Sequence, residues 1–157
     1  MATKKRTYIE GDWFVVPIRD KGYVLGHIAR WTRPHAILGY FFSPYFITIP
    51  TLASVQDIKP SESFLIRKFS DIGLMESWPL IGGSDNWNRD EWPLPPFGHV
   101  DIMDPTFAVK REYSETDLAK MIKETRINLE LAETLPKDGY SGHIALQKLL
   151  EHLFRDS

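Results

Sequence analysis

The chain has 157 residues, 43% hydrophobic and 25% charged, with a net charge of −2. This length suits one domain with a single core over residues 1–157, and the near-neutral balance gives no case for nucleic acid or an anionic membrane as partner. Cysteine is absent, which excludes disulfides, thiolate metal sites and thiol nucleophiles and fits a reducing cytosol.

The N-terminus carries the basic run Lys4-Lys5-Arg6 without a following apolar stretch, so it reads as a solvated tail and not as a secretory signal. No apolar run approaches membrane-spanning length, and the expected location is cytoplasmic. Trp13 to Ile18 is apolar on both faces, the pattern of a strand in a covered sheet or barrel. Arg19-Asp20-Lys21-Gly22 is a turn, and Tyr23 to Trp31 is its hairpin partner, with Gly26 marking a bulge or a close backbone approach. Further strands are expected near Ile37–Phe42, Phe64–Phe69, Ser77–Ile81 and Phe107–Glu112, and Tyr45–Ile49, bracketed by Pro44 and Pro50, reads as a short strand or an extended edge piece.

The period then changes. Leu118, Met121, Ile122, Thr125, Leu129 and Ala132 follow helical spacing, Ser114 is positioned to cap that helix, and Pro136 ends it. After Lys137-Asp138-Gly139, Ser141 can cap a second helix with Leu146, Leu149, Leu150, Leu153 and Phe154 on one stripe. Strands followed by helices predict an α+β fold. The N-terminal antiparallel strands would form a curled sheet or SH3-like partial barrel over residues 8–112, with two C-terminal helices in a tail over 114–155.

Residues 78–97 hold three of the five tryptophans and four of the eleven prolines. Within them, Asp85, Trp87, Asp90, Glu91 and Trp92 combine carboxylates with indoles, as binding hot spots do. Those carboxylates can imitate the phosphates that a nuclease site expects, through the same arginine and lysine contacts. Equally, the indoles can fold back onto the sheet and leave the acids merely solvated. Tyr40 and Tyr45, from a second aromatic cluster, are weaker partner-binding candidates; core packing explains that cluster as well. His99, Asp101 and Asp104 have the residue types of a metal or acid–base site but no ligand spacing, so they read as a loop with Asp104-Pro105 starting a turn. The serines of Gly83-Ser84-Asp85 and Tyr140-Ser141-Gly142-His143 lack the flanking pattern of a nucleophile, and no lysine makes Gly82-Gly83 a phosphate loop. No catalytic residue, metal or cofactor is therefore expected.

Gly11-Asp12-Trp13-Phe14-Val15-Val16-Pro17-Ile18, the strand Gly22-Tyr23-Val24-Leu25-Gly26, the segment Phe69 to Leu74, the step Trp78 to Gly82 and the corner Pro93 to Phe97 together resemble the immunity protein 26 family of bacterial polymorphic toxin systems. The resemblance covers roughly residues 8 to 112. It implies an antitoxin whose partner is a cognate toxin domain, neutralised by stoichiometric binding without turnover. Some relatives carry a phosphotriesterase label, which makes a small hydrolase the alternative, with His99, Asp101 and Asp104 the first residues to test. A generic protein-binding module is a third reading.

Overall fold

The computed structural model describes residues 7–156, so the basic run Lys4-Lys5-Arg6 lies outside the described residues. Strand β1 (Asp12–Ile18) pairs antiparallel with β2 (Gly22–Thr32), and β2 pairs with β3 (Ala36–Phe46). The next strands are β4 (Leu65–Ser70), β5 (Leu80–Gly83) and the two-residue β9 (Tyr140–Ser141). They complete a six-stranded sheet in the order β5-β1-β2-β3-β4-β9, antiparallel except for the parallel β4–β9 step. A second sheet holds β6 (Phe97–Val100), β7 (Ala108–Ser114) and β8 (Asp117–Ile127) in that order. Four helices, α1 (Leu52–Val55), α2 (Ile72–Glu76), α3 (Leu129–Thr134) and α4 (His143–Leu153), give a mixed α+β fold.

Alternation along β1 sends Phe14, Val16 and Ile18 to one face and Trp13 and Val15 to the other. On the first face Phe14, Ile28, Phe41 and Phe69 pack with Trp78, Leu146, Leu150 and Phe154, so α4 covers it. On the second face Trp13, Leu25, Leu38 and Phe42 pack with Val55, Trp92, Phe97 and Leu118. Both faces are dry, which is why the central strands read as apolar runs without alternation. Each fully buried large apolar side chain contributes about 1.5–3 kcal/mol.

Gly26 is the close approach that the sequence suggested. A Cβ there would stand 2.4 Å from Phe14 Cζ. The Phe14 ring cannot yield, because Phe41, Phe69 and Trp78 ring it at centroid distances of 5.9 to 6.2 Å. Gly26→Ala should therefore destabilise the fold by about 1–3 kcal/mol, the usual cost of overpacking. Urea unfolding measures it, and an unchanged midpoint would mean that the Phe14 cluster is loose.

Several expectations are corrected. The six-stranded sheet is open, with β5 and β9 at its ends, and the described residues form two sheets instead of an SH3-like partial barrel. The helix expected from Asp117 is the strand β8, and only Leu129–Thr134 is helical. Ser114 caps nothing there; it faces Asp117 across the tight β7–β8 turn, and Arg111 pairs with Glu124 at 2.9 Å along the hairpin. Cross-strand pairing and the β-branched Ile122, Thr125 and Ile127 outweigh a helical spacing whose apolar members Met121 and Ile122 are exposed. In the last helix Gly142, not Ser141, is the N-cap, and Leu153 leaves the expected stripe for solvent. The segment near Tyr45–Ile49 is no separate strand either: β3 runs on through Phe46. Sequence reading missed β6 and α2.

Candidate partner-binding site

The loop between β5 and β6 is built on a buried histidine. Gly11, at φ +93, leaves room above β1 for the Trp87 ring, whose Cγ would lie 2.6 Å from a Cβ at that position. Beneath it His27 is 2% exposed and enclosed by three indoles. Its ring centroid lies 4.0 Å from Trp92, 4.2 Å from Trp13 and 5.2 Å from Trp87. His27 Nε2 donates to the Gly11 carbonyl at 3.1 Å, which fixes the tautomer and leaves Nδ1 buried without a hydrogen bond among the described residues. Burial pushes the imidazole down to about 3, against the opposing effect of the Gly11 bond, so the ring is neutral at pH 7.

The loop backbone is fixed from below. Tyr40 donates its hydroxyl to the Pro93 carbonyl at 2.5 Å, and burial pushes that hydroxyl up to about 12, keeping it a donor. Arg30, buried on β2, donates to the Trp92 carbonyl at 2.8 Å and to Glu115 at 2.6 Å. From above, Arg89 reaches Glu10 at 2.8 Å and Glu115 at 3.3 Å, tying the loop to the chain entry and to the β7–β8 turn. Asn88 accepts from the Asp90 amide at 3.1 Å and starts a single 3-10 turn over Arg89–Glu91.

The candidate residues divide. Asp85, Asp90 and Glu91 are exposed, and Trp87 is half-buried at the loop surface. Among the described residues no lysine or arginine lies within ion-pair distance of those three carboxylates. Trp92 and Tyr40 are buried under the loop, so they hold its shape and present no surface of their own. Tyr45 belongs to the opposite face of the sheet, against Phe154 and beneath the Lys21 ammonium. Sequence reading missed His27, Arg30, Glu10, Glu115 and also Asp57, which lines the same small cleft as Trp87 and Glu91. The Gly11-Asp12-Trp13 opening was the one visible hint of the cage; long-range ion pairs leave no local signal. Ser84, the loop's only hydroxyl, donates to Asn86.

His99, Asp101 and Asp104 lie in the β6–β7 connection. Asp101 Oδ1 accepts the amides of Met103 at 2.8 Å and Asp104 at 2.9 Å, and Asp104 Oδ1 accepts Thr106 at its amide and hydroxyl. These carboxylates shape turns. Among the described residues no group of three or more His, Cys, Asp or Glu could hold a metal ion.

The strand series that carries the loop is that of a known family. A family model described as Immunity protein 26 matches residues 9–109. The chain belongs to the immunity protein 26 family and is an immunity protein of toxin systems, whose partner is a toxin. No curated protein and no solved structure matches it.

Proposed function

We propose that the chain neutralises a cognate bacterial toxin domain, a nuclease in our reading, by stoichiometric binding through the 84–92 loop in the cytoplasm. The observation that supports this is the unpaired acidic set Asp85, Asp90 and Glu91 beside Trp87, raised on a rigid indole base. A nuclease presents arginine and lysine to its substrate phosphates, and carboxylates at fixed positions receive the same donors. A preorganised aromatic anchor lowers the ordering cost of binding, and exposed acids outside any ion pair steer a basic partner. Among the described residues no helix is long and apolar enough to cross a membrane.

Co-expression with candidate toxin domains tests the reading, with affinity measured on the purified pair. Trp87→Ala should weaken binding by about 2 kcal/mol or more. Asp90→Asn with Glu91→Gln should slow association and flatten its salt dependence, since both side chains are exposed. Thermal unfolding separates lost binding from lost folding. Full protection and unchanged affinity in both variants would remove the loop from the interface.

A further inference from the structure

Away from the 84–92 loop, a cavity of about 550 Å³ opens between β2, the start of α2 and the segment preceding β1. Its size falls within the range of ligand pockets, about 300–1,000 Å³. Tyr8, Trp31, His35 and Asp71 supply its polar groups, and Ile9 and Met75 supply apolar wall. The Asp71 side chain is 2% exposed. Its Oδ2 accepts the Tyr8 hydroxyl at 2.5 Å and the Trp31 indole N–H at 3.4 Å, and its Oδ1 accepts His35 Nδ1 at 3.1 Å. Burial, then the bond to Asp71, pushes the Tyr8 hydroxyl far above the usual phenol range, so it remains a donor.

The Tyr8 hydroxyl and the Trp31 indole N–H are neutral donors. They satisfy Oδ2 without cancelling the carboxylate charge, while His35, its side chain 55% exposed, faces Oδ1. Among the described residues no lysine or arginine lines the cavity. The Tyr8 and Trp31 rings meet edge to face, with centroids 5.7 Å apart and planes at 70°. The result is an aromatic corner over a negative floor, with aliphatic wall beside it. Ring faces attract cations, a carboxylate in a low-dielectric setting adds the opposite charge, and alkyl carbons are accommodated by Ile9 and Met75. We infer that the Tyr8–Trp31–Asp71 cavity is a binding site for an alkylammonium group, carried by a small molecule or by a lysine side chain.

The test uses the intact protein and no toxin, so it succeeds or fails independently of the loop surface. At pH 8 the indole N–H resonance of Trp31 is followed by NMR during titration with choline, with neopentyl carbinol (its uncharged carbon isostere) and with Nα-acetyl-lysine methylamide. Choline or the lysine derivative should shift the resonance saturably, and the isostere should bind at least about tenfold more weakly than choline. Asp71→Asn should weaken the favoured cation by about tenfold or more. Should that variant unfold, Trp31→Leu replaces it, since Trp31 is 36% exposed; binding is then followed calorimetrically and should be lost. Tighter binding of the lysine derivative assigns the ammonium to a protein side chain, and tighter binding of choline assigns it to a small molecule. Equal affinity for choline and its isostere, or no saturable shift with either cation at about 100 mM, overturns the site.

Discussion

Lowering the pH from 7 to 4.5 should remove about 2.5 kcal/mol of stability through His27 alone. The folded-state value near 3 lies below the ordinary 6.5, so the unfolded chain takes up the proton first. The His27 contribution is complete above pH 6.5 and falls by about 1.4 kcal/mol per pH unit below it, until the folded form titrates near pH 3. Protonation in place would put a cation among Trp13, Trp87 and Trp92 with a single acceptor, the Gly11 carbonyl. His27→Gln keeps a donor for that carbonyl and cannot titrate. Urea unfolding across pH 4 to 7 should give the variant a slope lower by about one proton than the parent. Parallel slopes would show that His27 charges freely in the fold. The proposed partner surface stands on this ring, so under that proposal acid should also weaken toxin binding before the chain unfolds.

Asp138→Asn should cost about 3–5 kcal/mol, the scale of breaking a buried ion pair from one side. Asp138 and Lys68 are each 5% exposed at the side chain and meet at 3.0 Å. Arg111 and the Tyr113 hydroxyl reach the other Asp138 oxygen at 3.0 and 2.7 Å. Burial alone would raise the Asp138 carboxyl, but the bonds from Tyr113, Arg111 and Lys68 outweigh it and hold the group below the usual carboxylate range. Its stabilising effect is therefore present above about pH 4 and lost as pH falls through the depressed folded value. Lys68→Met should cost clearly less, because Arg111 and Tyr113 still satisfy Asp138. The methionine also keeps the stem of Lys68 against Phe97 and Tyr113, over which the ammonium now stands at 4.9 and 3.1 Å. Urea midpoints of the two variants check the order. The reverse order would mean that the lysine, not the carboxylate, organises this junction between the two sheets.

The central strands were legible because burial on two faces writes itself as continuous apolar sequence, and Gly26 was legible because close approach admits no side chain. The β8 strand was not. Its apolar residues happen to satisfy helical spacing, and what decides the matter is pairing with Arg111 and Glu112 in a strand that sequence reading ended at Glu112. The loop was recognisable by composition, yet the division of its rings was hidden. Trp87 and Trp92 have the same chemistry; only the position of His27, far away in sequence, decides which becomes wall and which becomes surface. Asp71 lay in a segment noted only for its resemblance. Its partners Tyr8 and Trp31 come from 63 and 40 residues away, beyond the reach of any local pattern.

The family match ends inside β7, yet Leu146, Leu150 and Phe154 of the remaining chain seal the face formed by Phe14, Phe41 and Trp78. The boundary of kinship is thus not a seam along which the molecule could be cut. Any chimera built to retarget toxin recognition has to transplant α4 together with the strands it roofs, because a graft of residues 9–109 alone would carry half of a greasy joint into a foreign host.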